Sequence, residues 1–330
     1  MALDLKHDSA KEVLRRLVAT ADVFVHNMRP QAIERLGFDY PAVSAIKPDI
    51  VYVGAYGFGQ AGPYRAKPAY DDAIQAASGL ASLFAMRDGT PQYVPAAIAD
   101  KLVGVTLSQA VALALLHRER TGQGQFVEVP MFEVLVSFNL VEHINGAAFE
   151  PPIGQLGYQR VTTPARRPFP TRDGYVCILP YSDKQWLSFF TAVGRPEMME
   201  IPGFATYSAR VHTVDDLYGF VATVTPEKTT AEWVEICERG EIPCMPVADI
   251  QALMDDEHLK AVGMFEPHHH PTEGATILVR SPVTFSASPA DIRRHAPRFG
   301  EHSQAVAREL GYDEASIADL LASGALIPPA

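Results

Sequence analysis

The sequence predicts an α/β protein with buried parallel strands, and three observations carry that reading. Residues 103–117 are almost wholly apolar or small, turn at Gly122, and resume as an alternating-to-apolar run over 125–131. Residues 10–21 place Val13, Leu14, Leu17 and Val18 on one helical stripe and lead straight into the β-rich run 22–26. Residues 50–55 are continuously apolar, the pattern of a strand covered on both faces.

Taken in order, the strand over 22–26 ends in Asn27-Met28-Arg29-Pro30. Pro30 disfavours helix at Arg29 and is suited to the first turn of a helix over 31–36. A strand, loop and helix start of this kind direct backbone N–H groups beyond the strand end, where an anion is welcome. The strand over 50–55 runs into Tyr56-Gly57-Phe58-Gly59-Gln60-Ala61-Gly62-Pro63, a glycine-rich loop that matches neither the dinucleotide fingerprint nor a Walker loop. Tyr70 and Asp71 precede a helix from Ala73. The helix over 103–117 is expected to be buried on most of its surface, with Asp100 as a candidate N-cap or functional carboxylate. Arg118 and Arg120 suit its negative C-terminal end, and Gly122 suits a left-handed cap. The following strand is expected to turn Glu128 to solvent and to deliver Glu133 to a strand–helix junction among apolar residues.

From about residue 148 the composition shifts to proline, glycine and arginine. The expected organisation is a large domain over 1–150, a linker over 151–165, a small domain over 166–265, and a linker with return to the large domain over 266–330. Within the small domain, Asp183 is a candidate helix cap, and Thr229 followed by Glu232 reads as a capped helix start. Residues 242–247 suit a strand interrupted by prolines. His268-His269-His270 reads as exposed loop rather than a metal site, because no further ligands accompany it.

Composition narrows the class. The chain of 330 residues is 47% hydrophobic, enough for a full core, and its net charge of −11 opposes general nucleic-acid binding. It leaves room for a local basic site. Three cysteines without metal-ligand spacing fit reduced thiols in a cytoplasmic protein. No run of about 18 apolar residues is free of polar groups, so no membrane partner is expected.

Several ordered motifs resemble the class III CoA-transferases nearly end to end. They are Ala-Asp-Val-Phe-Val-His-Asn-Met-Arg-Pro at 21–30, Glu-Arg-Leu-Gly at 34–37, Tyr-Val-Gly-Ala-Tyr-Gly-Phe-Gly-Gln-Ala-Gly-Pro-Tyr at 52–64, and Asp100. The Thr-Gly-Gln-Gly-Gln turn at 121–125, Ile-Pro-Cys-Met-Pro-Val at 242–247 and Gly-Glu-His at 300–302 complete the set. The resemblance implies a Rossmann-like large domain built from both chain ends, a smaller inserted α+β domain, and an interlocked homodimer. It also implies coenzyme A as part of the substrate, with no separate cofactor and no metal. The substrates would be an acyl-CoA and a free carboxylic acid. In the family a segment like Leu3-Asp4-Leu5-Lys6 follows a strand–helix–strand unit that contributes to the CoA site; a sequence beginning at that point is expected from a mis-called start codon first, and otherwise from a truncated or alternatively started chain or a branch without the unit.

The same resemblance assigns CoA contacts to Asn27, Met28, Ala32 and Arg35, with Arg29 and Tyr56 placed in the same site. Glu133 stands where the family has its aspartate nucleophile; the extra methylene extends the carboxylate by about 1.3–1.5 Å. Tyr70 occupies the position of a racemase histidine whose partner aspartate corresponds to Asp100. A hydroxyl with an ordinary pKa near 10 replaces that histidine poorly, which disfavours racemisation. Three activities stay open for Glu133: nucleophile of CoA transfer, structural or acid–base carboxylate of an isomerase, and bystander in a silent CoA-ester binder. No glycine-rich closing loop follows Pro152, so formyl or oxalyl specificity is not expected to carry over.

Overall fold

The structure, a computed structural model, describes residues 1–329. It comprises two compact units, Met1–Gly157 joined by the chain from Ala296 onward, and Tyr158–His295.

The first unit is built on three parallel strands in the order β1 (Val23–His26), β2 (Val51–Tyr56) and β3 (Gln125–Pro130). The central position belongs to β2, the most apolar of the three, with Val51, Tyr52 and Val53 fully buried. Before β1 comes α1 (Asp8–Thr20), which buries Val13 against Ala307, Ile317, Leu320 and Leu326 from the C-terminal stretch. The two ends of the chain are also bonded directly, Asp4 N–H to Ala325 O at 3.1 Å and Ile327 N–H to Ala2 O at 3.0 Å. Between β1 and β2 lie α2 (Pro30–Leu36) and α3 (Tyr40–Ile46). Between β2 and β3 lie α4 (Asp71–Ala77), α5 (Leu80–Asp88) and α6 (Ile98–Thr121), and α7 (Met131–His143) follows β3 without a linker.

The end of α6 is as the sequence predicts: Gly122 takes φ +72°, and its N–H closes on Arg118 O at 2.7 Å. Arg118 also reaches the start of β1, donating to Asp22 Oδ1 at 2.9 Å and Asp22 O at 3.2 Å. The burial of α6 is not as predicted. Only Ala99, Val103 and Ala114 are buried, while Val105 is 67% exposed and Leu113 58%. The reason is geometric: a single helix laid on a sheet covers only a narrow stripe, and an all-apolar helix then keeps the rest of its surface outside. Its length and composition are those of a helix able to cross a membrane, with mean hydropathy 1.5, although Asp100, Lys101, Arg118 and Arg120 charge its two ends.

Asp100 does not cap α6. It lies inside the first turn, and its own N–H is taken at 3.0 Å by Asp71 Oδ1, whose Oδ2 accepts from Gln75 Nε2 at 2.6 Å. The capping carboxylate therefore comes from α4, a long-range contact invisible to local pattern.

The second unit carries an antiparallel sheet, β4 (Phe169–Pro170), β5 (Tyr175–Ile178) and β6 (Cys244–Pro246), packed with helices. Its core joins Trp186, Phe189, Phe190, Leu217, Val221 and Trp233, and Trp233 Nε1 donates to Thr225 O at 2.7 Å. Thr229 and Glu232 form the expected capping box. At the other predicted cap Ser182, not Asp183, receives the Gln185 N–H, because Asp183 is turned onto the buried Arg210. The hairpin β7 (Phe265–His270) and β8 (Gly274–Val279) belongs to this unit. The histidine triplet is thus in a strand rather than a loop, paired with Gly274, Ala275 and Thr276 of β8.

Leu135→Ala, which empties a fully buried position among Phe58, Ile74 and Ala99 beneath the loop after β2, is expected to lower unfolding free energy by about 2–5 kcal/mol. Thr229→Ala should cost about 1 kcal/mol. Urea unfolding followed by circular dichroism checks both.

Candidate active site

All three strands of the first unit run parallel, so their carboxyl ends fall on one edge, where open α/β sheets place their ligands. Register sets the detail: His26 lies opposite Gly54, Gly54 opposite Glu128, and Tyr56 opposite Pro130. Three segments therefore emerge side by side: Asn27–Arg29 after β1, Gly57–Gln60 after β2, and the first turn of α7 after β3.

Glu133 stands in that first turn, at the positive end of the helix. It is exposed rather than sunk among apolar groups, because it lies on the face of α7 away from the buried Leu135. Its Oε1 accepts the Gly59 N–H at 2.9 Å. A Cβ at residue 59 would stand 2.5 Å from the same oxygen, so any other residue would push the carboxylate out of this position. The loop is held on either side of this contact. Phe132 N–H donates to Gly57 O at 3.1 Å, and Gln60 Nε2 donates to Phe58 O at 2.7 Å.

Glu128 does not point into solvent as the strand alternation predicts. It is half-buried, and its Oε1 accepts the Gln60 N–H at 2.8 Å. Two successive loop N–H groups, of Gly59 and Gln60, are thus captured by two carboxylates, one at the strand and one at the helix. Glu128 also acts on Tyr56, whose hydroxyl is held above its ordinary pKa first by burial and then by that negative charge.

Tyr56 and the β1 loop meet in a cleft with about 160 Å³ of free space, lined by Asn27, Met28, Arg29, Tyr56, Gln60, Arg65, Lys67 and Tyr70 among others. The cleft gathers five of the nine residues singled out from the sequence: Asn27, Met28, Arg29, Tyr56 and Tyr70. Ala32 and Arg35 share a shallower hollow on α2 with Arg29, which lines both. Glu133 and Asp100 do not line the cleft. Tyr70, 82% exposed, makes its turn immediately before Asp71, the residue that binds the Asp100 backbone.

Sequence reading overlooked Arg65 and Lys67. With Arg29 they give this edge of an acidic protein three cations, and Lys67 Nζ lies 3.7 Å from the Tyr64 ring centre. Their signal was present as two basic residues within the tail of the glycine loop. It also overlooked His26, whose position under the cleft depends on strand register. Among the described residues no group of three or more His, Cys, Asp or Glu is placed to hold a metal. The arrangement suits a polyanionic ligand in the cleft with a held carboxylate at its side.

Comparison with known proteins agrees with this geometry. The family model "CoA-transferase family III" matches residues 1–303. A formyl-CoA:oxalate CoA-transferase of Afipia carboxidovorans is 29% identical over 99% of this chain and 82% of its own length. One from Bradyrhizobium sp. is 29% identical over 100% of this chain and 82% of its own. Among solved structures, a CaiB/BaiF family protein from Brucella suis superposes with TM-score 0.75 at 28% identity, over 93% of this chain and 80% of that one. Rv3272 from Mycobacterium tuberculosis does so with TM-score 0.76 at 26% identity, over 88% and 78%. With its parallel sheet, its strand-end site and a family match over nearly the whole chain, the protein belongs to CoA-transferase family III.

Proposed function

We propose that this CoA-transferase moves CoA from an acyl-CoA to a free carboxylic acid through covalent intermediates on Glu133. What supports the reading most directly is the Gly59 N–H held at 2.9 Å on Glu133 Oε1 in the positive first turn of α7. The carboxylate attacks the thioester carbonyl, the C–S bond breaks, and CoA leaves as thiolate with the electron pair, giving a mixed anhydride. The thiolate attacks Cδ of Glu133, expels the donor acid as carboxylate and leaves a glutamyl-CoA thioester. The acceptor carboxylate then attacks that Cδ and expels the thiolate. Attack of the thiolate on the acceptor's acyl carbon forms the new acyl-CoA and frees Glu133. No net proton is consumed, so no general base is required. A backbone donor such as Gly59 N–H is suited to oxygen that gains charge on the Glu133 carboxyl during the two attacks at Cδ.

Asn27, Met28, Arg29, Tyr56, Arg65 and Lys67 are the CoA-contacting set in this reading, with the cations taking phosphate. Ala32 and Arg35 extend it along α2. CoA arrives with the substrate, and no further cofactor is used. The acyl pair is proposed to differ from that of the formyl-CoA:oxalate relatives, because glutamate replaces the family aspartate and no glycine-rich closing loop follows Pro152.

A homodimer belongs to the same proposal. Besides Val105 and Leu113 of α6, Phe138 and Val141 of the adjoining α7 are 57% and 82% exposed, an apolar surface that a second copy is suited to cover. We place the protein in the cytoplasm, in keeping with its unpaired thiols.

Incubation with a panel of acyl-CoAs and hydroxylamine, followed by peptide mass spectrometry, is expected to yield a hydroxamate on Glu133 that is absent from Glu133→Gln. A folded, CoA-binding protein without that adduct would end the covalent proposal. Gly59→Ala should lower kcat about 10²-fold while CoA affinity changes little, as determined by steady-state kinetics and calorimetry. Arg65→Gln with Lys67→Gln should weaken CoA binding about tenfold and flatten its salt dependence. Val141→Glu should shift the sedimentation of a dimer toward that of a monomer.

A further inference from the structure

We infer that His26 is a positioning residue for CoA recognition: its ring fixes the Asn27-Met28-Arg29 loop by taking the Met28 N–H and is itself locked by Tyr52. The inference rests on the proposed role of that loop and goes beyond it by naming what holds the loop in shape.

Three hydrogen bonds define the arrangement. Met28 N–H donates to His26 Nδ1 at 3.2 Å, His26 Nε2 lies 2.9 Å from Tyr52 Oη, and Tyr52 Oη donates to Phe38 O at 2.9 Å. They leave one assignment of the protons. Nδ1 accepts and so carries no hydrogen; the hydroxyl proton of Tyr52 is spent on Phe38 O; Nε2 must therefore carry the imidazole proton and donate it to Tyr52 Oη. The ring is neutral, in a single tautomer, and both of its nitrogens are used.

Packing holds the ring as firmly as the bonds do. Tyr52 and Tyr56 of β2 meet it edge-on at 5.3 Å and 5.7 Å between ring centres, and Phe24 of β1 lies at 6.1 Å. Tyr52 is fully buried, so the chain of bonds is anchored in the core rather than in solvent. Because His26 is the last residue of β1, the Met28 bond acts at the step where the chain leaves the sheet. It turns the Met28 N–H inward and leaves the flanking groups of Asn27, Met28 and Arg29 to line the cleft.

The same geometry makes the loop sensitive to acid. A second proton on the ring would convert Nδ1 from acceptor to donor against the Met28 N–H. Burial lowers the pKa of His26 below 6.5 and outweighs an opposing pull from the Met28 backbone, so the ring is neutral at neutral pH and gains its charge only as pH falls below that value. The charged and titratable groups around it are Tyr52, with Asp39 acting on it, and Tyr56, with Glu128 acting on it from β3. Burial holds both tyrosine hydroxyls above their ordinary pKa, so they stay protonated throughout this range.

Binding of free CoA by isothermal titration calorimetry, with kcat and KM for an acyl-CoA donor, tests the inference on wild type, His26→Phe, His26→Asn and Arg29→Gln. His26→Phe removes the acceptor and should weaken CoA binding and raise KM about tenfold, with kcat within about twofold. His26→Asn offers an uncharged oxygen to the residue-28 N–H and should hold affinity within about twofold at pH 7.5. As pH is lowered from 7.5 through the range in which NMR shows the His26 ring taking its second proton, wild type should lose more affinity than His26→Asn, since both face the same titration of the CoA phosphates and only wild type carries that imidazole. Equal loss in the two overturns the inference, and this comparison does not depend on whether His26→Phe folds. A folded His26→Phe with wild-type affinity also overturns it, leaving the loop's role intact if Arg29→Gln weakens CoA binding. If Arg29→Gln has no effect either, the loop is not the CoA site and both readings fall.

Discussion

Parallel pairing of β1, β2 and β3 is the constraint on which the rest of the first unit depends. Each strand end feeds one part of the candidate site, and the parts converge only because the ends lie on one edge in a fixed register. A slip of one residue would turn Val51 and Val53 from one face of the sheet to the other and carry Tyr52 with them. Every one of those side chains is buried, so register is enforced by the whole core rather than by any single bond.

On that edge, the glycine loop after β2 is shaped by what β3 and α7 offer it. Loop N–H groups need partners, and here successive ones are satisfied by Glu128 and Glu133. The consequence is reciprocal: the carboxylates order the loop, and the loop orients the carboxylates. For covalent chemistry on a side-chain carboxylate this matters more than a shifted pKa, because reactivity depends on where the oxygen lies when the thioester arrives. The Glu133 carboxylate meets the loop at a residue with no Cβ in its path.

Charge and apolarity are distributed with the same economy. The protein carries a net charge of −11, yet Arg29, Arg65 and Lys67 meet around one cleft beside the Glu133 edge. A polyanion is therefore attracted to that edge and repelled from most of the remaining surface. The long apolar helix α6 meets the sheet with one stripe and turns side chains such as Val105 and Leu113 outward, at a cost in water.

The alternation of helix and strand, the capped end of α6 at Gly122, the two-sided burial of the 50–55 run and the capping box at Thr229 could all be read from local pattern. Each is decided within a few residues, by periodicity, by a missing Cβ or by a side chain reaching its own backbone. The same holds for the Asn27-Met28-Arg29 loop and for Glu133 at the strand–helix junction, whose places follow from chain order. Long-range contacts decided the remainder. Asp71 rather than an α6 residue binds the first turn of α6, Glu128 turns to the Gln60 N–H, Arg65 and Lys67 join Arg29, and His26 is clasped between Met28 and Tyr52. These partners lie from two to 68 residues apart in the chain, and even the nearest pair acquires its meaning from a tyrosine on the next strand. Sequence determined which segments became strands, helices and turns; only the pairing of strands decided which polar groups would meet at their ends, because register, not local propensity, sets those distances.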